Sequence, residues 1–142
     1  MLVLDTDHLS VLEWEASAAT QRLLQRLSRE APAEAATTII SFEEQMRGWL
    51  AYLSRSRTVV QQVEAYRRLQ KQLENYRTIP ILAFDLQAAT EFQRLRKRHR
   101  TLGTMDLKIA AIVLVHDATL LSRNLSDFRQ IAELRVEDWT AE

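Results

Sequence analysis

The sequence predicts an α/β fold in which a short, mostly parallel sheet of four or five strands is flanked by helices. Brief apolar or β-branched runs alternate along the chain with longer stretches of helical spacing, which is typical of a parallel sheet covered on both faces. The 142 residues suffice for one core and are too few for two ordinary domains, so residues 1–142 are expected to form a single domain. A hydrophobic fraction of 46% beside 27% charged residues is that of a folded, soluble protein.

The individual elements follow from the spacing of apolar residues. Short apolar or β-branched runs predict strands at residues 2–4, 36–40, 79–84, 118–122 and 134–136. Apolar residues three or four apart predict helices at residues 6–14, 18–29, 41–53, 58–76, 85–98 and 104–116, with a helical turn near Asp127. Ser41 is the expected N-cap of the third helix. The helix that begins at Thr104 is apolar on nearly every side, so it should be buried.

The helix at residues 58–76 carries an apolar stripe whose packing partner the sequence leaves open. Val59, Val63, Tyr66 and Leu73 recur three, four or seven positions apart among charged residues. One interpretation is that the stripe packs on the protein's own core. The other is that it forms a seam with a partner protein or with a second copy of the chain.

Composition excludes several classes of function. The absence of cysteine rules out a disulfide framework, thiolate zinc sites and a cysteine nucleophile, and it agrees with a reducing, cytoplasmic location. The apolar start at residues 1–4 meets Asp5 at once and is too short for a secretory signal, and no uncharged run approaches the ~20 residues of a membrane span. A formal net charge of zero argues against indiscriminate binding of polyanions over the whole surface.

Four oxygen-bearing side chains fall where predicted strands and helices meet. Asp5 follows the first strand, Glu44 lies in the first turn after the second, Asp106 lies in the first turn of the buried helix and Asn124 follows the fourth strand. Functional groups of open parallel sheets gather at the carboxyl ends of strands. Glu44 or Asp106 alone could simply favour a helix N-terminus, by about 0.3–1 kcal/mol. If the strands are neighbours, however, converging carboxylates predict a hard divalent cation, and with it phosphoryl-transfer chemistry.

Five short motifs occur in order along the chain. They are Leu4-Asp5-Thr6-Asp7, Glu44 four positions before Gly48, Met105-Asp106 with Ile109-Ala110-Ala111, Leu121-Ser122-Arg123-Asn124 with Asp127-Phe128, and Val136-Glu137-Asp138-Trp139. Together they resemble the PIN domains of VapC-type toxins, and the resemblance covers essentially the whole chain. It implies a PIN-like fold. It also selects Glu44 over the adjacent Glu43, because the family pattern places a Glu four residues before a Gly.

The resemblance carries over to the site residue by residue. Asp5, Glu44 and Asp106 match acids that hold Mg²⁺ or Mn²⁺, Asn124 falls where many members carry a fourth acid, Thr6 and Ser122 match hydroxyl residues that line the site, and Asp7 stands where Asn is common. The implied activity is metal-dependent endonucleolytic hydrolysis of RNA, such as transfer RNA or another structured RNA. Neutralisation by a cognate VapB-type antitoxin and assembly as a homodimer are also implied.

A basic run precedes the third acid. Arg94, Arg96, Lys97, Arg98 and Arg100 lie within seven positions, directly before Thr104 and Asp106. Arg96, Arg98 and Arg100 are therefore candidates for binding RNA phosphates, and the alternative is a solvated helix face. Because Arg94 and Arg98 share one helix face while Arg96 and Arg100 share another, one RNA strand is not expected to contact all of them.

Two other functions are compatible with parts of the sequence. Asp5-Thr6-Asp7 after an apolar strand matches the opening of phosphatases that form an aspartyl-phosphate. That chemistry also needs a lysine to balance charge, and the sequence offers only scattered candidates such as Lys71 and Lys97. The neutral Asn124 also allows a catalytically degenerate PIN-like module that only binds RNA or protein. The acids at positions 5, 44 and 106 argue against that module.

Overall fold

The computed structural model describes residues 1–14, 17–30 and 35–141. The elements in chain order are β1 (Leu2–Leu4), α1 (Thr6–Trp14), α2 (Ala18–Glu30), β2 (Ala35–Thr38), α3 (Ile39–Arg55), α4 (Val59–Tyr76), β3 (Ile81–Leu82), α5 (Leu86–Arg98), α6 (Thr104–Val115), β4 (Thr119–Leu121), α7 (Leu125–Phe128) and β5 (Arg135–Glu137). The described strands form one parallel sheet in the order β3-β2-β1-β4-β5. The predicted α/β class with a short parallel sheet is thereby confirmed.

The central strand β1 contributes to a core on each face of the sheet. Val3 belongs to a buried cluster that includes residues of α5 and α6, whereas Leu4 belongs to a second cluster with residues of α1 and α2. Leu120 and Leu121 of β4 divide between the two clusters in the same way. Successive strand residues point to opposite faces, so a sheet covered on both sides buries residues on both faces of its central strands. The ends of β1 and β4 are therefore held firmly between two packed layers.

The apolar helix α6 is buried, as its sequence predicts. Ile109, Ile112 and Val113 are fully shielded from solvent. α6 has 12 residues, and no helix within residues 1–14, 17–30 and 35–141 is long and apolar enough to cross a membrane.

The junction between β2 and α3 differs from the prediction. Thr38, not Ser41, is the N-cap: its side chain accepts a hydrogen bond from the backbone N–H of Ser41 at 3.1 Å. The β-branched Ile39 and Ile40 therefore begin the helix and do not end the strand, because a satisfied cap outweighs a weak strand preference. As a result Glu44 lies in the second turn of α3 and not in the first turn.

The apolar stripe of α4 is exposed. The relative exposures of Val59, Val63, Tyr66 and Leu73 are 73%, 60%, 58% and 58%, so the interpretation that this stripe packs on the protein's own core is wrong. The face that α4 buries instead carries Ala65, Gln72 and Tyr76. Helical spacing identified the stripe correctly, but it could not say which stripe faces inward.

Candidate active site

The candidate site lies at the carboxyl edge of the sheet. Asp5 directly follows β1, Glu44 lies in α3 after β2, Asp106 lies in the first turn of α6, and Asn124 is the N-cap residue of α7 after β4. β1 pairs with both β2 and β4, so the turns after these strands lie side by side. The structure thus brings together the four side chains that the sequence singled out.

Asp5 is the most buried acid of the group, with only 7% of its surface exposed. Its Oδ1 accepts a hydrogen bond from the Thr6 backbone N–H at 2.8 Å, and its Oδ2 accepts one from Ser122 Oγ at 2.7 Å. Burial, with the nearby charges of Asp7 and Glu44, raises the pKa of Asp5 to about 7, although the two hydrogen bonds act in the opposite direction. This carboxylate is thus held firmly in an orientation where its charge is poorly compensated.

Glu44 faces the same space from α3. Thr6 Oγ1 donates to its Oε2 at 3.4 Å. Burial raises the pKa of Glu44, and the charge of Asp106 adds to this effect. The adjacent Glu43 instead pairs with Arg47 at 2.6 Å. The choice of Glu44 over Glu43 thus agrees with their geometry.

Asp106 and Asn124 meet on the far side of the site. Asn124 Nδ2 donates to Asp106 Oδ2 at 3.3 Å and to Asp127 Oδ2 at 3.2 Å. Burial raises the pKa of Asp106, followed by the charges of Asp127 and Asp7. The Asn124 amide therefore bridges two carboxylates, and Asp127 lies close enough to contribute to the charge of the site.

The chemistry of these side chains suits a divalent cation. The pKa values of Asp5, Glu44 and Asp106 are all raised, first by burial and then by one another or by further acids. Clustered carboxylates of this kind favour a bound proton or a hard cation. Within the described residues, no three His, Asp or Glu side chains are arranged closely enough to hold one ion as they stand, so rotation of side chains would have to complete a ligand set.

An open cleft of about 480 Å³ leads to the acids. It is lined by Glu44, Arg47, Gly103, Thr104, Met105 and Asp106. Arg47 places a cation, 70% exposed at its side chain, beside two of the acids. Sequence reasoning missed Arg47 because nothing distinguishes it from other helical arginines. Its place one turn after Glu43 is an ordinary helical spacing, which Glu64 and Arg68 share.

The basic run divides between two surfaces, as its helical spacing predicts. Arg96 and Arg100 line an open hollow of about 560 Å³ together with Gln93 and Lys97. Arg94 instead pairs with Glu91 and Glu133. Arg98 is exposed at the end of α5, and its charge reaches Glu133. Of the three predicted phosphate-binding arginines, two therefore share a concave surface.

Two further residues at the site were not assigned a role from the sequence. Asp7 contacts Ser122 and the backbone of Arg123, and the fully buried His8 contacts Asp7. A histidine on the apolar side of α1, next to Leu9 and three positions before Val11, was the signal that a buried polar network lies here.

Comparisons with known proteins identify the family. The sequence pattern of the PIN domain family matches residues 2–134. Over 46 residues the chain is 39% identical to the Ribonuclease VapC1 of Haemophilus influenzae strain R2866, a match that covers 32% of this chain and about a third (34%) of the relative's length.

Two solved structures share the fold. VapBC2 from Rickettsia felis, bound to a DNA fragment from its promoter, superposes with a TM-score of 0.76 at 20% identity and covers 97% of this chain and 98% of that one. VapBC-1 from nontypeable Haemophilus influenzae gives a TM-score of 0.76 at 20% identity and covers 99% and 98%. Because the family match extends over most of the chain, this protein belongs to the PIN domain family.

Proposed function

We propose that this protein is a metal-dependent endoribonuclease and the toxin of a type II toxin–antitoxin pair. The observation that carries the proposal is the set of the buried Asp5 with the half-buried Glu44 and Asp106, all with raised pKa values, at the carboxyl edge of a PIN-type sheet. A matched stretch of a VapC ribonuclease supports RNA as the substrate. Structured RNA such as transfer RNA is the expected target.

Asp5, Glu44 and Asp106 would hold Mg²⁺ or Mn²⁺, since both ions prefer carboxylate oxygens. When bound, the cation would stabilise charge on the phosphodiester and favour deprotonation of the attacking water. Ser122 and Thr6 orient Asp5 by hydrogen bonds, so little reorganisation remains for the reaction itself. Arg47, at the open cleft, can receive a substrate phosphate.

Asn124 sets the expected number of ions. A carboxamide can offer an oxygen ligand after its amide rotates, but it brings no negative charge, so a second cation would be held weakly. One tightly bound ion is therefore proposed. Asp127, 3.2 Å from the amide nitrogen, is the nearby carboxylate that could strengthen this side.

A cognate VapB-type antitoxin is the proposed partner, and the chain itself is proposed to form a homodimer. The two solved structures above are those of VapBC2 and VapBC-1. On this protein the exposed apolar stripe of Val59, Val63, Tyr66 and Leu73 is the type of surface that a protein partner covers. Expression without a partner should arrest growth, and co-expression with a cognate antitoxin should restore it.

The aspartyl-phosphatase alternative is not supported by the position of its lysines. Lys71 lines a hollow beside Leu12 and Asn75, and Lys97 lies beside Arg96 on α5. Lys108 lies over the rings of Phe84 and Phe92. None of the three lysines lines the cleft at Glu44 and Asp106.

The central experiment is cleavage of total RNA by the purified chain with Mg²⁺, Mn²⁺ or a chelator. Asp106→Asn should lower cleavage at least about 100-fold while the fold is preserved, because loss of a ligand should exceed the 10–100-fold typical of residues that only support ligands. Glu74→Gln removes an exposed carboxylate from α4 and is the matched control. Cleavage that persists in chelator would refute the metal-dependent mechanism.

A further inference from the structure

The carboxylate of Asp7 joins α1 to the segment that follows β4, beside the candidate site. Its Oδ1 accepts a hydrogen bond from His8 Nδ1 at 2.8 Å. Its Oδ2 accepts one from the Arg123 backbone N–H at 2.9 Å, and Ser122 Oγ lies 3.3 Å from the same oxygen. Both oxygens of Asp7 are therefore already used as acceptors within the protein.

The geometry around His8 fixes the direction of its hydrogen bonds. Its side chain is fully buried, and its Nε2 accepts from the Trp139 backbone N–H at 3.1 Å. A neutral imidazole that accepts at Nε2 carries its proton at Nδ1, so Nδ1 is the donor to Asp7. Asp138 Oδ1 lies farther from Nε2, at 3.6 Å, and accepts hydrogen bonds from Thr140.

This network ends at the site itself. Ser122 Oγ donates to Asp5 Oδ2 at 2.7 Å and accepts from the Asn124 backbone N–H at 3.0 Å. Asp7 therefore holds the segment from Ser122 to Asn124, and that segment orients both Asp5 and Asn124. His8 in turn orients Asp7 from a buried position, where an imidazole has little freedom to move.

We propose that Asp7 and His8 are positioning residues, which fix the orientation of Asp5 and Asn124 without binding metal or substrate. The effect of these two residues on catalysis rests on the proposed nuclease function. The role requires a carboxylate in particular, because an amide at position 7 has one acceptor end and one donor end. Whichever way the amide of an Asp7→Asn variant turned, its amino group would face either the His8 Nδ1–H or the Arg123 N–H.

The test compares Asp7→Asn with Asp5→Asn, and Glu74→Gln serves as the surface control. Asp7→Asn should keep the wild-type circular dichroism spectrum and the wild-type number of bound Mn²⁺ ions, while kcat on RNA falls about 10–100-fold and KM stays within about twofold. Asp5→Asn should lose Mn²⁺ binding. A wild-type kcat for Asp7→Asn would overturn the proposal, and so would loss of all Mn²⁺ binding, which would make Asp7 a ligand.

A second measurement uses the wild-type protein and needs neither RNA cleavage nor a stable variant. Long-range ¹H–¹⁵N NMR spectra of the imidazoles should show His8 with its proton on Nδ1, with the His8 signals assigned from their absence in His8→Gln. An Nε2-protonated or doubly protonated ring would overturn the network. If the chain cleaves no RNA, the proposed function fails, and the NMR spectra together with Mn²⁺ binding still decide whether Asp7 positions Asp5.

Discussion

Replacing Asp5 by asparagine should stabilise the metal-free protein at pH 8, although it removes a proposed metal ligand. The pKa of Asp5 is raised from its ordinary 3.8 to about 7, so the folded state binds this proton more tightly than the unfolded state does. Its contribution to stability is complete below about pH 4 and is lost as the pH rises to about 7. At about 1.4 kcal/mol per pKa unit, ionised Asp5 costs the folded protein about 4 kcal/mol at pH 8.

Asparagine removes this cost and introduces a smaller one. Asp5 accepts hydrogen bonds at both oxygens, from Thr6 and Ser122, whereas an amide accepts at one end only. An unsatisfied buried donor costs about 1–3 kcal/mol. The net gain expected for Asp5→Asn at pH 8 is therefore about 2 kcal/mol, and at pH 5 the variant should be no more stable than the wild type.

Urea denaturation in chelator, at pH 5 and pH 8, measures both quantities. The wild type should lose stability between these pH values. Asp5→Asn should lose less stability, because only the raised pKa values of Glu44 and Asp106 remain to make its stability depend on pH. Saturating Mn²⁺ should then reverse the order at pH 8: a ligand at 100 times its Kd stabilises by about 2.7 kcal/mol, and only the wild type should bind it. Equal pH dependence of the two proteins, with Glu74→Gln as reference, would refute the reasoning.

Three further predictions concern residues around the site. Replacing Arg96, Arg98 and Arg100 by Gln should weaken RNA binding and flatten its salt dependence, measured by fluorescence anisotropy at several salt concentrations, whereas an unchanged slope would assign them to a solvated face. Asn124→Asp should tighten Mn²⁺ binding in calorimetry without abolishing cleavage, whereas Asn124→Ala should lower turnover modestly. Gly48→Ala should raise the free energy of unfolding by about 0.5–1 kcal/mol, because Gly48 lies within α3 and an added Cβ meets no atom within 4 Å; a loss of stability in denaturation would contradict this.

The order of strands and helices could be predicted because the local spacing of apolar residues indicates each element. The buried α6 is the clearest case, since a helix that is apolar all round has no solvent face to present. The ends of elements were less predictable. At β2 the choice between Ser41 and Thr38 as the cap depends on one hydrogen bond, and sequence preferences at Ile39 and Ile40 favour the wrong answer by a small margin.

The acids of the site could be located because parallel strands place their carboxyl ends together. Asp5 and Asn124 needed only the position of a strand end, and Glu44 needed the helix that follows a strand. Asp106 follows a helix, so the start of the apolar helix α6 was its signal. The network through His8 could not be predicted in this way, because it depends on Trp139, which lies 131 positions away in the chain. Contacts of that range follow from the whole fold, and the local pattern around His8 shows only that a polar side chain is buried there.

The order of the strands in the sheet determines when the site can form during synthesis. β1 is made first, yet its neighbours β2 and β4 both come later, and the Asp5 backbone N–H pairs with Leu121. Contacts across so long a stretch form late and at a high entropic cost. A chain still growing on the ribosome therefore carries Asp5 without the residues that orient it. Asp5 gains its contacts with Leu121 and Ser122 only after those residues have been added, so translation itself delays completion of the candidate site.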